Sequence, residues 1–238
     1  DEQEFINNIE ISFKACTEKD ILMTLGIQPS YANTGYGYIE FEKSNSEIKK
    51  VSNFTEKPDL KTATQFIESG NYLWNAGIFI WSVTSIIAAF EIFLPDMNTL
   101  FCKGNSVFNT NFEDDFIEDN YEKAQNISID YGIMQLAKNI YTLPVDFGWN
   151  DLGTWNSLYE KLDKDKNNNA VVNAKTIFKD ASNNMISTSK GKHVVIQGLD
   201  DFIVVEKKDV LLICPKNNEQ EIKQIVADVK QQFGEDLV

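Results

Sequence analysis

No arginine occurs anywhere in the 238 residues, so lysine carries the whole positive charge, and 22 basic residues face 36 acidic ones for a net charge of −14. A protein that grips a nucleic-acid backbone displaces condensed counterions with many cations. An acidic chain without arginine is unsuited to that, and no nucleic-acid partner is expected. Histidine occurs once, as His193, away from any Ser or Cys constellation suited to nucleophilic catalysis, so it reads as structural. The cysteines Cys16, Cys102 and Cys214 are odd in number and widely separated. They fit neither a disulfide framework nor a zinc spacing, and buried thiols in a reducing cytoplasm are expected. Long apolar runs are missing too. The most apolar stretch, residues 76–94, is broken by Trp81-Ser82, Thr84-Ser85 and Glu91, short of the ~18 uninterrupted residues of a membrane span. The opening Asp-Glu-Gln-Glu has no Met, basic segment or apolar segment of a secretory leader. Without one, the Asn-x-Ser/Thr triplets at Asn53 and Asn126 carry no weight as glycosylation sites.

What is present is an ordinary globular balance, 42% hydrophobic and 24% charged. At roughly 150 residues per domain, the length suits one domain with a smaller companion. Phe5, Ile6, Ile9 and Phe13 predict an amphipathic first helix. The continuous apolar run at residues 21–27 reads as a strand buried on both faces. Residues 36–41 and 48–55 read as two strands around a polar turn, and Ala63, Phe66 and Ile67 as a helix ending at Gly70. A strand over 73–83 and a helix over 84–93 closed by Pro95 follow. The acidic stretch 96–120 reads only as a loop or irregular helix. Ser128 predicts a capped helix through Lys138 with Asp130 in its first turn. After a strand at 140–145 and a helix around Trp155–Leu162, the composition changes and the charged, Asn-rich stretch 161–169 reads as a linker. Short β-branched runs at 193–197, 202–206 and 209–214 then precede a last helix carrying Ile222, Ile225, Val226 and Val229 on one face. No internal repeat is visible. The expected division is an α/β part, residues 1–165, and a small β-rich module, residues 166–238.

Four polar clusters fall where strand ends meet loops, the place where open α/β sheets bind ligands. In Thr34-Gly35-Tyr36-Gly37-Tyr38 the glycines allow close backbone approach to a ligand or simply a tight turn. Glu56-Lys57-Pro58 offers a carboxylate for sugar hydroxyls beside an ammonium for a phosphate, or a solvated pair before a proline turn. Asn75, in Trp74-Asn75-Ala76-Gly77, sits in an apolar segment where an unpartnered amide costs a few kcal/mol. It must bond the backbone or face a ligand. Asp151, between Gly148 and Gly153, is a helix cap or a hard-cation ligand.

The ordered succession Gly-Tyr-Gly-Tyr, Glu-Lys-Pro, Trp-Asn-x-Gly, Ser-Ile-Asp-Tyr and Gly-Trp-x-Asp-x-Gly-x-Trp resembles the mannose-1-phosphate guanylyltransferase family, from the first helix to about residue 162. The resemblance implies an α/β fold, the C-terminal part of a nucleotide-diphospho-sugar transferase domain with a Rossmann-like mixed sheet, followed by the β-rich module. It implies GTP and mannose 1-phosphate as substrates and Mg²⁺ as cofactor. Carried over by motif, Gly37, Glu56, Lys57 and Asn75 bind the sugar phosphate, Asp151 holds the metal, and Lys57 and Asp151 carry the catalysis. Apart from the resemblance, the Ile222-Ile225-Val226-Val229 face of the end helix needs a partner, so the tail is expected to pack on the catalytic domain or on a second subunit, as a homo-oligomer through the C-terminal module. Where the family reads Met-Glu-Lys this chain has Met134-Gln135-Leu136, so neither Gln135 nor Leu136 keeps the family's charged side chain. The family's Gly-rich phosphate loop, its arginine and a second metal aspartate have no counterpart in these residues. A chain lacking that nucleotide half is expected to be inactive alone and to leave a sheet edge open. The alternatives are a nucleotidyltransferase for another hexose 1-phosphate, or a non-catalytic sugar-phosphate-binding or assembly module.

Overall fold

The apolar run at residues 21–27 folds as strand β1 (Leu22–Ile27), whose first five residues are buried. The computed structural model describes residues 1–235, and contacts divide the chain into two units, Asp1–Trp149 and Asn150–Val238. In the first unit β1 runs parallel to β5 (Ile140–Val145) and antiparallel to β4 (Tyr72–Trp81). β4 pairs with β2 (Tyr38–Phe41), and β2 with β3 (Lys49–Thr55), both antiparallel. The mixed sheet agrees with expectation, but the open edge does not. A short β3–β5 pairing, Lys49 opposite Thr142 and Lys50 opposite Tyr141, closes the sheet into a barrel.

Helix α1 (Glu2–Glu18) starts where the Asp1 carboxylate accepts from Glu4 N–H at 3.0 Å. Its face differs from the one the apolar spacing predicts. Asn8, Ser12, Ala15 and Cys16 are buried, whereas Phe5, Ile6 and Phe13 are exposed, Phe13 at 56%. Small side chains let the helix lie close on Met23, Leu25, Ile80 and Leu143. α2 (Leu60–Ser69) is capped by Asp59, which accepts from Thr62 N–H at 2.7 Å, and ends at Gly70 with φ 71° as its sequence predicts. α3 (Val83–Phe93) packs on a second core of Leu22, Ile39, Phe54, Leu73, Ile133 and Met134; each such burial contributes about 1.5–3 kcal/mol.

The stretch read as loop or irregular helix contains α4 (Pro95–Cys102), with Pro95 in its first turn, and α5 (Glu113–Tyr121), with three acidic residues in its first turn. The helix predicted from Ser128 to Lys138 is instead a five-residue π turn, Asp130–Met134. Gly132 lies against Leu94, where a Cβ would stand 3.0 Å from Leu94 Cδ1. Ile133 and Met134 enter the core just before β5, so the helix has no room to continue. Cys16 and Cys214 are buried as expected, but Cys102 is exposed. Among the described residues no single helix is long and apolar enough to cross a membrane.

The second unit begins with α6 (Trp155–Lys161), whose Tyr159 packs with Ala170, Met185 and Ile203. That packing puts the division by contact at 149/150, ahead of the boundary read at residue 165. Strands β6 (Ala170–Val172), β8 (Met185–Ser187) and β10 (Phe202–Lys207) run parallel, in register Ala170↔Met185↔Ile203. β7 (Lys175–Lys179) pairs parallel with β9 (His193–Gln197), and β11 (Val210–Pro215) returns antiparallel to β10. The last helix, α7 (Ile222–Phe233), has Ile222 packed on the α6 core.

Candidate functional site

The β2–β3–β4 framework brings four of the five site residues read from the sequence into one place. Lys57 N–H donates to the carbonyl of Tyr36 at 3.2 Å, and Asn75 N–H to that of Gly37 at 2.8 Å. The Tyr36-Gly37 step is therefore strapped between the end of β3 and the middle of β4. Space makes position 37 a glycine: a Cβ there would run into the Glu56 carboxylate and stand 3.4 Å from Asn75 Cβ. The preceding loop is tied by Tyr38, a fully buried residue. Its hydroxyl accepts from Asn33 N–H and donates to the Asn33 carbonyl, each at 3.0 Å.

Glu56 and Lys57 form an ion pair of 2.9 Å with asymmetric exposure, 10% for the Glu56 side chain and 54% for Lys57. The carboxylate is thus not the freely solvated one of a plain turn, while the ammonium reaches out. The hydrogen bond that the Lys57 ammonium donates to Glu56 holds it above the usual lysine range against some desolvation, with smaller help from the Glu56, Tyr131 and Asp130 charges. Lys57 takes a left-handed φ of 47°, a conformation uncommon outside glycine.

Of the two alternatives its sequence left open, the structure shows Asn75 bonded internally. Its Oδ1 accepts from Thr24 Oγ1 at 2.8 Å and from Gly77 N–H at 3.2 Å, and its Nδ2 donates to Asp130 Oδ1 at 3.0 Å. Thr24 and Asp130 are site residues the sequence reading missed. The signal for Asp130 was present in Ser128-Ile129-Asp130-Tyr131, but first-turn dipole chemistry explained the aspartate equally well. Around these groups Tyr36 stands edge-to-face on Trp74 at 5.0 Å and on Trp149 at 5.6 Å. The Trp74 indole N–H is buried without a hydrogen-bond partner among the described residues.

Asp151 belongs to the second unit, on the exposed turn ahead of α6. The cap of that helix is Thr154, whose Oγ1 accepts from Ser157 N–H at 3.1 Å. Asp151 is therefore not the cap; its Oδ1 accepts from Ser157 Oγ at 2.9 Å. Among the described residues no three His, Cys, Asp or Glu side chains gather as a metal cage. A magnesium ion keeps several waters and takes one or two carboxylates with ligand phosphates, and the exposed Asp151 carboxylate fits that donor chemistry. Gln135 lines a cavity of about 250 Å³ with Asn53 and Lys138, and Leu136 is 49% exposed.

Residues 8–168 match the family described as Nucleotidyl transferase. The chain belongs to that family. Residues 174–229 match the MannoseP isomerase/GMP-like beta-helix domain, in keeping with the parallel strands of the second unit. Mannose-1-phosphate guanylyltransferase of Escherichia coli is 36% identical over 86% of this chain and 45% of its own length. The enzyme of the same name from Salmonella montevideo is 35% identical, over 97% and 50%. Alginate biosynthesis protein AlgA of Pseudomonas syringae pv. tomato is 33% identical, over 90% and 45%. The chain thus spans about half the length of these relatives. The crystal structure of mannose-1-phosphate geranyltransferase from Thermus thermophilus superposes with a TM-score of 0.83 over 97% of this chain and 66% of that one, at 24% identity, a likeness of fold.

Proposed function

We propose that this chain supplies the sugar-phosphate side of a nucleotidyl transfer. In that reaction an oxygen of mannose 1-phosphate attacks the α-phosphorus of GTP, GDP-mannose forms and pyrophosphate leaves. The observation that carries the reading is the convergence of Gly37, Glu56, Lys57 and Asn75 on one strand-end site in a chain of the nucleotidyl transferase family. Such transfers depend on positioning and on neutralising phosphate charge more than on acid–base groups. Lys57 is charged at neutral pH and neutralises the sugar phosphate as a point charge, without an arginine's fork. The Glu56 carboxylate accepts from sugar hydroxyls, and the backbone at Gly37 lets the ring lie close. Asp151 would hold Mg²⁺, which when bound neutralises phosphate charge. The cytoplasm, where GTP is at hand, is the proposed place of work, and self-association through the second unit is proposed on the exposed Val195, Leu211 and Ile213.

Titration calorimetry of mannose 1-phosphate into this chain tests the reading. Saturable one-to-one binding is expected. Lys57→Ala should weaken it roughly ten- to a hundred-fold, since a bond to a charged group contributes about 1.5–3 kcal/mol. Because the Lys57 pKa is raised, its charge persists above the ordinary lysine range and binding should be level from pH 7.5 to 9. Absence of binding, or an unchanged affinity in Lys57→Ala, would remove this assignment.

A further inference from the structure

We infer that Asp130 is a second acceptor for the sugar's hydroxyls, aimed by Asn75, and that Thr24 is the positioning residue that fixes the Asn75 amide. The inference rests on the sugar-phosphate reading of the site and adds residues which that reading does not contain. The orientation of Asn75 follows from its neighbours. Thr24 Oγ1 and Gly77 N–H both approach Oδ1, and a reversed amide would set its NH₂ against a backbone N–H. The NH₂ must therefore face Asp130, where Nδ2 stands 3.0 Å from Oδ1.

The backbone is built for this. On β1, Thr24 opposes Phe79 and Gly26 opposes Asn75, so β4 carries extra residues between them. Gly77, with φ 70°, lies in that irregularity. Bulges of this kind re-aim a side chain beside a functional site.

Asp130 is half-buried, and its second oxygen, Oδ2, has no hydrogen-bond partner among the described residues. An ionised carboxylate only accepts, so a ligand filling that oxygen must bring an O–H or N–H. The local charge points the same way. Glu56 and Asp130 outnumber Lys57, and the charge on Asp130 reaches the Lys57 ammonium. Such a site disfavours a bare phosphate and favours a ligand with a phosphate at one end and hydroxyls at the other.

The opposing demands of the two ligand ends give a test with opposite signs. In Asp130→Asn the amide oxygen still accepts from Asn75, but a negative charge and an acceptor are lost. Titration calorimetry should show mannose 1-phosphate binding about tenfold more weakly, equivalent to 1.4 kcal/mol. Inorganic phosphate should bind equally well or more tightly. Weakening of both ligands together would mean a scaffold role and overturn the inference, as would unchanged mannose 1-phosphate affinity. If Asp130→Asn fails to fold, Asp130→Glu tests the same point. It keeps the charge but displaces the carboxylate, and should weaken mannose 1-phosphate alone; an unchanged affinity there would likewise overturn the inference. Thr24→Val should weaken mannose 1-phosphate several-fold with phosphate unchanged, and Thr24→Ser should restore it; no difference between the two would remove Thr24 from the scheme. A wild-type chain that binds neither compound would defeat the sugar-phosphate reading and the Asp130 role with it. Wild-type binding of both with no response in Asp130→Asn would defeat only the latter.

Discussion

Gly37→Ala is the substitution that best separates the cost to the fold from the cost to the site. The residue has no left-handed φ, so alanine is conformationally acceptable. Two of the three nearest contacts of the added Cβ are ordinary, 3.4 Å to Asn75 Cβ and 3.5 Å to Phe54 Cε1. The obstruction is the Glu56 carboxylate, the far end of a flexible side chain. Overpacking usually costs about 1–3 kcal/mol, and replacing glycine returns about 0.4–1 kcal/mol through the unfolded chain. A net loss of about 1 kcal/mol is expected, a fall of roughly 2–4 °C in Tm for a chain of this length. The site should lose more. Glu56 must shift a carboxylate whose other oxygen is paired with Lys57 at 2.9 Å, and a displaced acceptor of charged type costs about 1.5–3 kcal/mol of binding. Circular-dichroism melts and calorimetry with mannose 1-phosphate measure the two effects. A double mutant isolates the route: on a Glu56→Ala background the alanine at 37 should add almost nothing, because the group it displaces is gone. Full additivity of the two substitutions, or wild-type affinity in Gly37→Ala, would refute the claim that position 37 acts through Glu56.

Tyr38→Phe removes the hydroxyl that joins both polar groups of Asn33; a loss of about 1–3 kcal/mol and faster amide exchange over residues 31–37 are expected. Exchange unchanged in that loop would show that other bonds hold it. Asp151→Asn should leave the melt within about 0.5 kcal/mol of wild type, since Thr154 and not Asp151 caps α6, while lowering Mg²⁺ affinity measured with GTP present; undiminished affinity would strip Asp151 of its metal role.

The elements that declared themselves in the sequence did so through one dominant signal each. β1 was a run with no polar interruption longer than one residue, and α2 had Asp59 before it and Gly70 after it. The proposed site was legible to the extent that the residues which converge there stood out against their surroundings: an amide in an apolar strand, a carboxylate beside an ammonium, a glycine pair. Thr24 was hidden because a threonine inside a buried strand is ordinary by propensity, and only the fold brings its hydroxyl within hydrogen-bond reach of Asn75. α1 forms as predicted, with Ile9 against the core, but the rest of its buried face differs for a related reason. Periodicity marks which residues are apolar, whereas the sheet selected the face it could approach most closely, and that was the face of Ser12, Ala15 and Cys16.

The second unit shows the limit most clearly, because it repeats without a repeating sequence. Asn168, Asn183 and Asp201 occupy equivalent places ahead of β6, β8 and β10, and all take left-handed φ values, 60°, 57° and 67°. The next position holds Asn169 and Asn184, both buried, with Asn184 Nδ2 donating to Asn169 Oδ1 at 3.0 Å. In the third coil the place is taken by Phe202, whose backbone N–H donates to Asn184 Oδ1 at 2.9 Å. Each buried amide is thus satisfied by the coil beside it, which is what a polar group at that depth requires. The side chains that fill the interior beside Tyr159 differ in size from coil to coil, Ala170, Met185 and Ile203. What recurs is a backbone angle and one hydrogen-bonding atom per coil, and neither leaves a periodic trace in hydrophobicity. An Asn-rich stretch that reads as a linker by composition is therefore the seat of a hydrogen-bonded ladder.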